Sequence, residues 1–185
     1  AMTDHLTESA EEAQTRLYIA RGRAIQEYAA LEHTLCAIFA TLLGTRSDYA
    51  GVVFFKIASA RGRNSIIETL VRKRLGNTYN RYWNSLIKTL HSTDQRRNEI
   101  VHWAEMINVL SQPDGRLLHE VVLTPPNFWD MKPTTPQINA AQLSEFGDKC
   151  DFLARSISRF GDIILDAKPH PKRQAWLEIF QQELV

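Results

Sequence analysis

From Ser9 to Leu43 the chain has no proline and one glycine, and Leu17, Ala24, Tyr28, Leu31, Leu35, Ile38 and Leu42 recur at spacings of three, four and seven. That spacing places them on one face of a 3.6-residue period and predicts a single long amphipathic helix, closed by Gly44. Ser47 and Asp48 then cap a shorter helix through Val52, Phe54 and Phe55 that runs out near Ser59. Ser65 and Glu68 form a Ser-x-x-Glu capping box ahead of Ile66, Ile67, Leu70 and Val71, with Arg72, Lys73 and Arg74 in the last turn and Gly76 just past it. A fourth helical stretch begins near Thr78 and puts Tyr79, Trp83, Leu86 and Leu90 on one side. The same period continues through Thr93, Arg97, Ile100, Val101, Ala104 and Ile107, and a second capping-box signature, Ser92-x-x-Gln95, predicts a kink or a loop near His91.

After Asn108 the period shortens to two. Val109 to Ser111, a Gln-Pro-Asp-Gly turn at 112–115, and the alternation of Leu117, His119, Val121 and Leu123 predict a small hairpin. Pro125, Pro126, Pro133 and Pro136 make the next stretch an irregular loop, whose Phe128 and Trp129 are expected to cover the end of the core. Leu143, Phe146, Cys150, Leu153, Ile157, Phe160 and Ile164 then follow an unbroken three-four repeat, the last long helix, and a short terminal helix carries Trp176, Leu177, Ile179 and Phe180. The fold class expected is all-α: an antiparallel up-and-down helical bundle with a small β-hairpin insertion near residues 109–123, the hairpin and Pro-rich loop together filling 109–138.

At 185 residues the chain suits one domain spanning 1–185. Ala1 ahead of Met2 reads as a residue added before the natural start. No apolar run approaches the roughly 20 residues of a membrane span, so no membrane partner and a cytoplasmic location are expected. Two cysteines make no disulfide framework. Cys150 has no second sulfur or imidazole two to five residues away and Cys36 has only His33, too few ligands for a zinc site, so no metal and no cofactor are expected. Cys150 lies on the seam of the last long helix and Cys36 near that of the first, which reads both as small core residues.

The formal charge of +1 conceals a split. Residues 61–102 carry nine basic groups against Glu68, Asp94 and Glu99, a local +6, while the flanking pieces are −2 and −3. Such a segment is a candidate polyanion surface, or else a solvated helix face. Phosphate-binding Gly loops, nucleophile elbows and His-Glu-x-x-His pairs do not occur. What stands out is Gln95-Arg96-Arg97-Asn98-Glu99-Ile100-Val101-His102-Trp103, inside the basic segment. Arg97 falls on an apolar seam, where a guanidinium needs an anion or a partner. Asn98 and His102 share a face, with His91 and Gln95 on the same stripe, whereas Arg97 points about 140° away from His102 on an ideal helix. A single helix therefore does not focus both side chains on one atom, which argues for a site built across a dimer axis.

Arg97-Asn98-x-x-x-His102 resembles the signature of HEPN domains, in which an Arg is followed by a polar residue and, four to six positions after the Arg, by a His on a helix of an all-helical bundle. From composition the strict form is expected by chance only about 0.02 times in this chain. The resemblance implies a metal-independent endoribonuclease of the kind found among toxins and in anti-phage or RNA-processing systems, dimerising so that two motifs face one cleft. It implies that His102 moves the proton of a ribose 2′-OH or of the leaving 5′-oxygen. Arg97 would hold the scissile phosphate and Asn98 would orient the imidazole or the phosphate. Arg96, His91, Trp103, Arg72, Lys73 and Arg74 are the expected RNA contacts, Trp103 by stacking on a base. RNA and a second copy of the chain are the expected partners, and an antitoxin or other regulatory protein is compatible with the family. Some HEPN toxins carry a Tyr two residues after the His, modified by a partner nucleotidyltransferase; Ala104 stands there in this chain, so that partner is not implied. Two alternatives stand beside this reading. In one, a non-catalytic bundle binds RNA, a nucleotide or a protein through the same cleft; in the other, Arg97 pairs internally with a carboxylate such as Glu32 or Asp151.

Overall fold

A computed structural model describes residues 9–113, 117–127, 132 and 134–184. The described chain is mostly helical, with α1 (Ala10–Leu43), α2 (Ser47–Phe54), α3 (Ala60–Leu75), α4 (Asn80–His102), α5 (Ala140–Phe160) and α6 (Arg173–Ile179). Three short strands, β1 (Ala104–Ser111), β2 (Leu117–Thr124) and β3 (Ile138–Asn139), form one antiparallel sheet in the order β1-β2-β3. No single helix among the described residues is long and apolar enough to cross a membrane.

The chain packs as two compact units, Ala1–Glu27 with Arg96–Lys149, and Tyr28–Gln95 with Cys150–Val185. In the first, the opening turns of α1 are fixed by a capping box. The Ser9 N–H donates to the Glu12 carboxylate at 2.8 Å, and the Glu12 N–H donates to Ser9 Oγ at 3.2 Å. The first of these, together with a bond from the Ser9 hydroxyl to the same carboxylate at 3.0 Å, holds the Glu12 carboxyl below its ordinary value. Ala13, Leu17, Ala20 and Ala24 line the buried face of α1, and Leu143 and Phe146 that of α5. The small residues let the two backbones approach: a Cβ built on Gly147 would lie 3.7 Å from the Ala24 Cα. Ala104 pairs with Thr124 and Ser111 with Leu117 across the hairpin, and Val122 with Asn139 at its other side. Val121 to Thr124 are buried, whereas Ile107, Val109, Leu110, Leu117 and Leu118 are exposed.

The second unit centres on Phe160, whose ring lies 5.1–5.5 Å from those of Tyr79, Tyr82, Trp83 and Phe180. The Tyr82 hydroxyl lies 2.9 Å from Ser156 Oγ inside this cluster. Leu31, Leu35, Ile38, Ile67, Val71, Leu86 and Leu90 complete the core. A second polar group lies at its edge: the half-buried Asp94 accepts from the hydroxyl of the buried Tyr28 at 2.7 Å and from Nδ2 of the buried Asn64 at 3.1 Å.

Several local expectations are corrected. The hairpin starts at Ala104 instead of residue 109, so Ala104 and Ile107 belong to a strand, and a third strand joins the sheet. No break occurs near His91, because α4 is continuous from Asn80 to His102. Ser65-x-x-Glu68 does not start a helix: α3 begins at Ala60, with Ser59 Oγ accepting the Gly62 N–H at 3.0 Å, and Glu68 pairs with Arg72 one turn on. Ser47 and Asp48 do not cap α2, whose N-cap position is Arg46; Asp48 pairs with that arginine, and the helix ends at Phe54. The α5 seam is buried from Leu143 to Phe160, but a π-helical turn at Gly161–Leu165 advances the register, so Ile163 and Leu165 are buried in place of Ile164. Phe128, Trp129 and the Asp-Gly half of the 112–115 turn lie outside the described residues.

Candidate functional site

The last turns of α4 present the motif. Arg97 stands between Thr93 and Ile100, both buried, and is itself half-buried, with its Nε atom fully enclosed. Asn98 and His102, one turn apart, are both exposed. Arg96 forms an ion pair with Glu99 at 2.9 Å, and Trp103 is half-buried. All five residues lie in the first unit. Within one chain, then, the helix turns the arginine toward its packed side and the asparagine and histidine toward solvent.

His102 is the last residue of α4, and Trp103 alone separates it from β1. The helix leaves its final carbonyls without intrahelical donors. Arg21 on α1 supplies one: its Nη2 donates to the Val101 carbonyl at 3.1 Å and to the Trp103 carbonyl at 3.3 Å, on either side of His102. One and two turns earlier on α1, Tyr18 and Gln14 meet the far side of the junction. Gln14 Nε2 donates to the Glu105 carboxylate at 2.5 Å and to the Tyr18 hydroxyl at 3.1 Å. The hydrogen bond between Tyr18 and Glu105 holds the phenol above its ordinary pKa, with burial and the carboxylate charge adding to it. A phosphate approaching His102 meets the negative end of a 23-residue helix dipole, so attraction must come from Arg97 and its cationic neighbours.

Gln14, Tyr18, Arg21 and Glu105 were not among the residues expected at the site. The signal for the first three is their i, i+4, i+7 spacing on α1, with Gln14 and Arg21 standing as polar residues in the seven-residue register of Tyr28, Leu35 and Leu42. Glu105 was concealed by the apparent continuation of the α4 period.

The expected RNA contacts outside α4's last turns belong to the second unit. His91 is half-buried, and Lys73 is exposed. Arg72 is engaged by Glu68 at 2.7 Å and Asn84 at 3.0 Å, and Arg74 by the carbonyls of Thr41 at 2.7 Å and Leu165 at 3.4 Å. The basic segment thus divides: residues 61–95 carry a net +5 in the second unit, and residues 96–102 a net +1 in the first. Glu32 and Asp151, the carboxylates considered for Arg97, pair with Arg63 and Arg155. No group of three potential metal ligands occurs among the described residues. A groove of about 630 Å³ in the first unit, walled by Glu11, Glu12, Arg16, Ile19, Arg23 and Ser144, includes none of the motif residues. Its lining holds no histidine. Comparison of the chain with family models, curated proteins and solved structures gives no match.

Proposed function

We propose that the chain is a HEPN-like, metal-independent endoribonuclease of the toxin or anti-phage type, acting in the cytoplasm as a homodimer of antiparallel up-and-down bundles. The observation that carries the reading is the strict Arg97-Asn98-x-x-x-His102 pattern on the final turns of α4, with Asn98 and His102 exposed on one face. In this reaction the ribose 2′-oxygen attacks the adjacent phosphorus and the bond to the 5′-oxygen breaks. His102 handles the 2′-OH proton or the proton that the leaving oxygen gains, and Arg97 balances charge developing on the phosphate. The products are a 2′,3′-cyclic phosphate and a free 5′-hydroxyl, and DNA is inert because it lacks the nucleophile. A second copy supplies the convergence that one helix does not, since Arg97 and His102 face different sides of α4.

The half-burial of Arg97 favours a second reading, a non-catalytic bundle binding RNA, a nucleotide or a protein partner. Incubation with total cellular RNA in excess EDTA separates the two. Cleavage lost in both Arg97→Ala and His102→Ala, with the dimer retained, supports the nuclease; intact RNA with a dimeric wild type supports the binding module.

A further inference from the structure

The ends of the helices differ in a way that concerns His102. α1 and α3 terminate at glycines in the left-handed region, Gly44 at φ +64° and Gly76 at φ +62°, and the Gly76 N–H returns to the Arg72 carbonyl. α4 has no such residue: it passes through Trp103 directly into β1, and no glycine follows His102 until Gly115. A helix end without a local cap frays unless something else satisfies its carbonyls. Among the described residues, one nitrogen of Arg21, from a helix about 80 residues away in sequence, is the side-chain donor that reaches both carbonyls flanking His102. The arginine also offsets the negative end of the α4 dipole. Gln14 and Tyr18, on the same stripe of α1, secure Glu105 on the strand side.

We infer that Arg21 is the positioning residue for His102: by bridging the Val101 and Trp103 carbonyls it fixes the backbone from which the imidazole projects. The inference rests on His102 being the proton-transfer group of the proposed nuclease. Because both bonds come from a single nitrogen, a lysine ammonium can replace them, whereas a bidentate phosphate clamp would not tolerate that exchange.

The test uses the full chain with Arg21→Ala and Arg21→Lys, each checked for helicity and dimer state. Arg21→Ala is expected to speed amide exchange at Trp103, whose N–H closes the last turn onto the Glu99 carbonyl at 2.8 Å, by about tenfold or more. It is also expected to broaden or split the His102 imidazole resonances. RNA cleavage should lose about a hundredfold in kcat with KM within about twofold, the signature of a displaced catalytic group. Arg21→Lys should keep wild-type exchange and most of kcat. Unchanged exchange and imidazole resonances in Arg21→Ala would overturn the inference, as would Arg21→Lys failing as badly as Arg21→Ala. If the wild type cuts no RNA, the nuclease reading fails by itself, while the exchange and resonance measurements still decide what Arg21 does to His102.

Discussion

Tyr82→Phe removes one buried oxygen, that of the hydroxyl 2.9 Å from Ser156 Oγ in the aromatic cluster around Phe160. Ring packing is kept, because the phenyl group still stacks on Phe160 at 5.5 Å and meets Trp83 and Phe180 edge-on. What is lost is the hydrogen bond, and Ser156, 3 % exposed, loses its partner. An intramolecular hydrogen bond contributes about 1 kcal/mol, and leaving a buried hydroxyl unsatisfied costs about 1–3 kcal/mol. Tyr82→Phe should therefore cost about 1–3 kcal/mol, or about 3–9 °C in melting temperature for a chain of this size. Ser156→Ala should cost a similar amount by stranding the phenol. The double variant replaces both polar groups and should cost clearly less than the two losses together, a coupling of about 1 kcal/mol or more.

The pH dependence gives an independent arm. Burial pushes the Tyr82 phenol well above a tyrosine's ordinary value, against the weaker opposing effect of the Ser156 hydrogen bond. An unfolded tyrosine ionises near about pH 10. A folded-state value raised above that gives stability that is whole below about pH 10 and lost as the pH rises further, by about 1.4 kcal/mol at pH 11. Tyr82→Phe has no such group, so the gap between it and the wild type should narrow by about that amount between roughly pH 9 and roughly pH 11. Thermal or urea unfolding of the four proteins across that range reads both arms. Strictly additive single losses, or a gap that keeps its size at high pH, would refute this account of the pair.

Gly147→Ala should raise stability by about 0.5–1 kcal/mol, since alanine is the better helix former and its Cβ would meet Ala24 at an ordinary 3.7 Å. Gly147→Leu at the same close approach should instead lower the melting temperature, and equal effects of the two would count against tight α1–α5 packing. Cys36, buried and with its thiol pushed up by that burial, should react slowly with a thiol reagent in the native protein and rapidly in strong denaturant; prompt native labelling would contradict its place in the core. The Glu12 carboxyl is held low by its bonds to Ser9, so the box contributes above the ordinary carboxylate range and is lost as pH falls through the lowered value. Amide exchange at the start of α1 should rise on acidification in the wild type, and this rise should be largely absent in Ser9→Ala.

The contrast between true and false helix starts shows where sequence reading works. The long uninterrupted period of α1 fixed its ends to within a residue, because 34 residues with one buried face leave no competing pattern. Five segments carry a capping-box spacing, yet among the described residues only Ser9–Glu12 and Asn139–Gln142 make the reciprocal bonds, at 2.8–3.2 Å. Ser65 and Ser92 sit inside helices, where backbone donors are already committed to the preceding turn. At the end of α4 the apolar positions Ile100, Ala104 and Ile107 satisfy a helical period, while Glu105, Ile107 and Val109 satisfy a strand alternation, and no Gly or Pro decides between them. The strand is held by its pairing with β2, from Ala104 with Thr124 to Ser111 with Leu117, and Arg21 bonds the carbonyls at the junction, partners too far along the chain for a local pattern to register. The motif from Arg97 to His102 was legible because its residues are contiguous; its support from Gln14, Tyr18, Arg21 and Glu105 was not, because tertiary structure assembles it.

The hairpin's outer half has a practical consequence. Ile107, Val109, Leu110, Leu117 and Leu118 expose apolar surface beside an edge strand whose outer backbone groups have no partner among the described residues. Such an edge invites intermolecular pairing at high concentration. Because those side chains contribute little to the core, Val109→Lys and Leu117→Thr offer a route to a more soluble protein without touching α4, and the same segment is the natural place to attach a fluorophore or an affinity handle.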